Sequence, residues 1–263
     1  MAKVGLKLLS TADSECINAV AELYSKKLFD YLELYVVPNT TDTIEKWKNF
    51  QSTGLSGEKI SLPIMLEAPD YHHKINFANP DNFEINRRIF DEIEQFRQAL
   101  NSRCTIITPG YRGNISETIR QLKEFKPKNI IVKNNVYRIA ELSSAAGIGS
   151  CGEELEMVKK DTYCGFCLDI ENAVCSANIT DRDPYDFLRE LNILNPIIYH
   201  ISGNNISTKD VTGGNISGGD YNFSKLSLII RNNALITLNT IIKEPIDVFK
   251  FRDDVHYLRR FCK

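Results

Sequence analysis

Residues 163–173 read Tyr163-Cys164-Gly165-Phe166-Cys167-Leu168-Asp169-Ile170-Glu171-Asn172-Ala173. The run Gly165–Ile170 is short and apolar, with Asp169 near its end. That pattern suits a strand covered on both faces that delivers one acid at its carboxyl end. Cys164 and Cys167 form a C-x-x-C pair. A redox pair of this kind belongs where a strand passes into a helix. Here the second cysteine leads straight into Leu168-Asp169-Ile170, so both are read as buried strand cysteines.

Seven further runs share the pattern: Val4–Leu9, Tyr31–Val37, Ile60–Leu66, Cys104–Thr108, Asn129–Lys133, Ile197–Ile201 and Leu235–Asn239. Helical patterns fall between and after them: Ser14–Lys27, Thr43–Gln51, Phe83–Leu100, Ile115–Phe125, Glu153–Lys160, Pro184–Leu191, Phe223–Asn232 and Arg252–Cys262. Strand starts recur about every 33 residues, which suits a repeated βα unit. Strict alternation leaves a closed (β/α)8 TIM barrel or a doubly wound open sheet. The open sheet wants a glycine-rich turn after its first strand to hold a phosphate. Ser10-Thr11-Ala12-Asp13-Ser14 contains no glycine. The expected architecture is therefore α/β, a single (β/α)8 TIM barrel over residues 1–263.

Composition excludes other classes. The chain has 263 residues, 43% hydrophobic and 25% charged, which is ordinary for a globular protein. Lys+Arg is 32 against Asp+Glu 34, so no basic excess tracks a nucleic acid. No apolar run approaches the roughly 20 residues of a membrane-spanning helix. No export signal is read at the start, and the seven cysteines are an odd number. A cytoplasmic protein with reduced thiols is expected.

In a (β/α)8 barrel, catalytic groups project from the carboxyl ends of the strands. Those ends supply Lys7, Glu33, Glu67, Thr108 with Arg112 beyond it, Lys133 with Asn134, Asp169 with Asn172, His200 with Ser202 and Asn204, and Asn239. His72 and His73 follow the third strand. Charges in a barrel mouth must be paired, solvated or neutralised. Any one of these residues could be a helix cap; the set as a whole points to a polar ligand pocket. The loop after strand seven is rich in Gly, Asn and Ser. It reads either as a phosphate-holding loop of backbone N–H groups or as a flexible surface loop. Arg112 is a second anion contact.

Several strings resemble segments of the xylose isomerase-like barrel superfamily, which holds sugar isomerases, sugar epimerases and barrel-type apurinic endonucleases. Gly165–Ala173 resembles its G-F-C-L-D-T-G-H-A segment, and Leu32-Glu33-Leu34-Tyr35 is similar to its second-strand motif. Leu66-Glu67-Ala68-Pro69-Asp70-Tyr71 resembles L-H-A-P-Y, and Thr108-Pro109-Gly110 resembles H-P-G. Tyr199–Asn204 resembles H-L-S-D, Gly219–Phe223 resembles G-D-I-D-F, and Leu235–Asn239 resembles I-T-L-E. The resemblance implies a divalent metal held by Glu, Asp, His and Glu on strands five to eight. The matching positions here are Lys133, Asp169, His200 and Asn239, so only Asp169 and His200 match. A hard cation wants several anionic oxygens, and Lys133 brings an ammonium to its place. A divalent metal is therefore disfavoured but left open, no metal ligands are assigned, and the cofactor stays unknown. The endonuclease histidines match Glu67, Thr108, Asn172 and a position near Gly213, too poor a set for a zinc cluster.

The resemblance thus implies an isomerase- or epimerase-like enzyme on a sugar, sugar phosphate or sugar derivative, acting by proton transfer beside a carbonyl. Expected catalytic residues are Lys133, Glu67, Asp169 and His200. Expected substrate contacts are Lys7, Glu33, Arg112, Asn134, Asn172 and Asn239. Lys133 could stand in for the metal, or, with its pKa depressed by burial, form a Schiff base. The alternatives are a lysine-dependent lyase, dehydratase or aldol-type enzyme on a sugar or nucleotide sugar, and a non-catalytic barrel binding a sugar or a protein. Neither a nucleic-acid nor a membrane partner is expected. The family's frequent dimers make a homodimer an expectation.

Overall fold

The apolar runs become strands because β-branched and aliphatic residues dominate them, and the strands close on one another. A computed structural model describes residues 2–53, 62–242 and 247–261. Its strands are β1 (Lys3–Leu9), β2 (Tyr31–Tyr35), β3 (Ile64–Glu67), β4 (Thr105–Ile107), β5 (Gly110–Tyr111), β6 (Ile130–Lys133), β7 (Arg138–Ile139), β8 (Ala145–Ile148), β9 (Gly165–Asp169), β10 (Ile198–Ile201) and β11 (Leu235–Ile242). Eight of them form a closed barrel in the order β1-β11-β10-β9-β6-β4-β3-β2, every pair parallel. The expected (β/α)8 barrel is the observed fold.

The helices are α1 (Ser14–Ser25), α2 (Ile44–Thr53), α3 (Phe83–Ala99), α4 (Ile115–Phe125), α5 (Gly152–Thr162), α6 (Ile170–Ile179), α7 (Pro184–Asn192), α8 (Phe223–Ile229) and α9 (Asp247–Leu258). Side-chain caps start several of them. Asp13 accepts from Cys16 N, Asn114 from Glu117 N, and Asp183 from Asp186 N, with Pro184 at the first helical position. Their apolar faces and the outer faces of the strands share one large core cluster, in which Trp47, Phe77, Phe96 and Phe166 are fully buried. Among the described residues, no helix is long and apolar enough to cross a membrane.

The barrel interior is a second apolar cluster of Tyr31, Met65, Cys104, Ile106, Ile131, Cys167 and Ile198. Side chains of a strand alternate faces, so a residue two positions on points the same way. Glu33, Glu67, Lys133, Asp169 and His200 each lie two positions after one of these residues. The same alternation that fills the barrel floor therefore stacks five ionisable side chains directly above it. Gly5 makes room for the floor: a Cβ there would meet Tyr31 Cε2 at 2.1 Å.

Three features depart from expectation. α6 follows β9 without a turn, although the sequence reading placed no helix there. Its Ile170, Ala173, Val174 and Ala177 are all buried at helical spacing, and Asp169 caps it by accepting from Asn172 N. β5, β8 and β7 form a small antiparallel sheet, built from loops that follow β4 and β6. Finally, β3 starts at Ile64 rather than Ile60, and Ile60, Ser61 and Cys262 lie outside the described residues.

Candidate active site

The carboxyl mouth of the barrel holds a connected set of buried charges. Glu67 ends β3 and faces two ammonium groups: Lys133 Nζ donates to its Oε1, and Lys7 Nζ contacts its Oε2. Lys7 Nζ also donates to Asn239 Oδ1 at 2.8 Å and lies 4.0 Å from Glu33 Oε1. Glu33 Oε2 meets His200 Nε2 at 2.9 Å and accepts from Thr237 Oγ1 at 2.7 Å. Tyr31 OH sits 2.9 Å from that same hydroxyl. His200 Nδ1 lies 3.8 Å from Asp169 Oδ2, which accepts from Asn239 Nδ2 at 3.2 Å. The Tyr35 ring, 5.7 Å from Lys7 Nζ, forms one wall, and its hydroxyl donates to Asp70 Oδ1 at 3.4 Å. Glu33, Glu67, Lys7, Lys133, Asp169 and His200 are all buried.

Burial opposes the charges of Glu67, Asp169, Lys133 and His200, and their neighbours overcome it. Burial alone would raise the Glu67 pKa; Lys133, Lys7 and His200 instead hold it far below the ordinary carboxylate range. Asp169 is treated likewise, lowered by its His200 contact and by Lys133. Burial alone would strip the proton from Lys133; Glu67 and Asp169 push its pKa up. His200 is also raised well above its free value, because Cys167, Glu33 and Asp169 around it outweigh burial. Glu67, Asp169, Lys133 and His200 thus stabilise one another's charged forms.

The structure brings Lys133, Glu67, Asp169, His200, Lys7, Glu33 and Asn239 together. Asn134 and Asn172 adjoin them in a supporting part. Asn134 accepts from Asp169 N at 2.6 Å and donates to Asp169 O at 3.0 Å. Asn172 N donates to Asp169 Oδ1, and its side chain donates to Asn134 O, both at 3.0 Å. They position Asp169 with the atoms that a substrate would otherwise use. Arg112 is not brought into the ionic cluster's network: it is exposed, and its Nη2 donates to Leu142 O at 2.8 Å. The Schiff-base role of Lys133 is corrected, because a nucleophilic amine needs a lowered pKa and this one is raised. Sequence reasoning missed Tyr31, Tyr35 and Thr237; their places two positions from Glu33 and Asn239 were the available signal. His72 Nδ1 pairs with Asp70 Oδ1 at 2.8 Å, outside the cluster.

Cys164 and Cys167 carry no disulfide, and burial pushes both thiols up, away from thiolate chemistry. A cavity of about 630 Å³ lies at the opposite end of the barrel, lined by Met65, Ile131, Gly165, Ile198 and Leu235 near the strands' amino ends. Its floor is the apolar interior cluster, and the ionic cluster stands at the other end.

The ions set the pH dependence of stability. Asp169 and Glu67 have lowered folded pKa values. Their stabilisation is complete above their unfolded values and is lost as pH falls through the folded ones. His200 is raised, so its stabilisation is complete below about pH 6.5 and declines above it, vanishing once pH passes the folded value. Melting temperature followed by circular dichroism is therefore expected to peak at about pH 5–6.5 and to fall on both sides. A melting temperature that rises steadily from pH 6 to 8 would mean that His200 is buried neutral.

No protein-family model matches the chain, and no curated protein matches its sequence. Solved structures do match its fold. A D-tagatose 3-epimerase-like protein is 16% identical at a TM-score of 0.66, covering 98% of both chains. A xylose isomerase domain protein from Planctomyces limnophilus is 11% identical at 0.66, covering 99% of this chain and 98% of that one. Endonuclease IV from Thermus thermophilus is 14% identical at 0.65, covering 98% of both chains. The chain therefore has the fold of the xylose isomerase-like TIM barrels.

Proposed function

We propose that the protein is an isomerase- or epimerase-like enzyme that moves a proton beside the carbonyl of a sugar or sugar derivative, with lysine ammonium groups in place of a divalent metal. The observation that carries this reading is the Lys7–Glu67–Lys133 triad at the barrel mouth. An ammonium can polarise a carbonyl and hold the enediolate oxygen that develops when the neighbouring carbon loses its proton. Lys133 supplies that ammonium, and Lys7 a second one. Glu67 is the proposed base. Once a substrate oxygen takes over one ammonium contact, Glu67 loses part of the field that depresses its pKa and becomes more basic. His200, kept protonated by Glu33 and Asp169, is the proposed acid that returns a proton. The fold similarity to an epimerase-like and a xylose isomerase domain protein supports the class of reaction.

The donor set does not fit a metal. Glu33, Glu67 and His200 bring one ligand atom each within 4.8 Å of one another. Both Glu67 oxygens, however, face ammonium groups, and His200 Nε2 is engaged by Glu33. A dication there would lie against two buried cations, a repulsion that the remaining ligands cannot offset. The protein charge balance, at net −2, favours a small-molecule partner over a nucleic acid.

The test is a panel of aldoses and ketoses in D2O, with and without a chelator. Deuterium entry into the carbon beside the carbonyl is expected at equal rates in both. Exchange that stops with chelator and returns with a divalent ion would overturn the metal-independent reading. No exchange with any sugar would overturn the proton-transfer reading itself.

A further inference from the structure

Phosphate recognition needs cations or N–H groups whose hydrogen bonds are not already made. Two groups of buried donors among the described residues already have partners. The first is the ammonium pair: Lys7 and Lys133 share Glu67, and Lys7 also holds Asn239. Glu33 and Asp169 lie beside them, Glu33 Oε1 4.0 Å from Lys7 Nζ and Asp169 Oδ2 3.8 Å from His200 Nδ1.

The second is the loop after β10, where backbone N–H groups converge as an anion-binding nest. Thr212 N donates to Glu171 Oε1 at 2.6 Å, and Gly213 N reaches both Glu171 oxygens at 3.1 Å. Gly213 has φ +63°, a left-handed turn that aims its N–H alongside that of Thr212. Asn204 Nδ2 donates to Oε1 at 2.6 Å, and Ser202 Oγ donates to Oε2. Glu171 itself sits at the start of α6, fully buried, two residues after Asp169. The chain's own carboxylate therefore takes up the N–H groups that this loop would otherwise offer an anion.

We infer that the mouth takes an uncharged polyhydroxylated substrate and excludes its phosphorylated counterpart, an inference that rests on the proton-transfer reading for its substrate and on Glu171 for its selectivity. A hydroxyl both donates and accepts, so it can enter between an ammonium and a carboxylate without changing the charge balance. A phosphate would add about two negative charges beside the buried Glu33, Glu67 and Asp169.

The experiment uses the full chain and inorganic phosphate as probe, read by thermal shift and calorimetry beside neutral sugars and their phosphates. The wild type is expected to show no phosphate binding up to tens of millimolar, and at least tenfold weaker binding of sugar phosphates than of the matching sugars. E171Q removes the internal charge and is expected to gain phosphate binding by at least fivefold. E171D keeps the charge and is expected to gain none, which separates charge from packing. A wild type stabilised by phosphate, or binding a sugar phosphate more tightly than the sugar, through exposed Lys209 for example, would overturn the inference. If the wild type binds neither sugars nor phosphate while E171Q gains phosphate, Glu171's exclusion of anions stands and the sugar reading falls.

Discussion

Replacing Glu67 with Gln is expected to destabilise the protein by about 3–5 kcal/mol, the usual cost of removing one partner from a buried ion pair. The carboxylate is the shared counterion of Lys7 and Lys133, both buried. An amide keeps the shape and one acceptor but none of the charge. Two ammonium groups would then face each other across a neutral group. Glu33, 4.0 Å from Lys7, offsets only part of this. Chemical denaturation reads the loss directly. The double variant with Lys133→Met is expected to recover part of it, since one stranded cation is gone, and a double-mutant cycle measures the coupling. A Glu67→Gln loss under about 1 kcal/mol would mean that the triad is solvated rather than buried.

Lys133→Met is expected to reduce kcat for the proposed proton transfer by about 100-fold or more, the scale seen when one donor to a developing oxyanion is removed. KM is expected to change little, because the contact matters most when charge appears on the oxygen. The fold should suffer less than in Glu67→Gln. Glu67 keeps Lys7 as its partner, and Asp169 keeps its contacts with Asn172, Asn239 and His200. Steady-state kinetics beside a melting curve separates the two effects. Unchanged kcat with intact folding would remove Lys133 from the chemistry. The raised pKa of Lys133 adds a further check: borohydride reduction in the presence of a sugar is expected to trap no adduct.

The barrel was legible in the sequence because strand runs and their period of two are local properties. Lys7, Glu33, Glu67, Lys133, Asp169, His200 and Asn239 were legible for the same reason, each sitting at a strand's carboxyl end. α6 was not, because Asp169 ends a strand and caps a helix at once, leaving no turn residues between. The small sheet of β5, β7 and β8 escaped because strands of two to four residues carry no pattern of their own. The surroundings of Arg112 were not legible, since a residue beyond a strand end follows its loop, and here its guanidinium donates to Leu142 O.

The sequence by itself determined the closed eightfold alternation and which side chains would stand above the barrel floor. Only the tertiary structure decided how they divide their charges. Lys133 and Glu67 are 66 positions apart, Lys7 and Asn239 are 232 apart, and Glu171 meets Gly213 across 42. Barrel closure sets β1 beside β11, and His200 of β10 then reaches Glu33 of β2. In that buried space each ion must find a partner or lose its charge. The pairings that result turn Lys133 from a free amine into a fixed cation, and make Glu171 the occupant of its own anion nest.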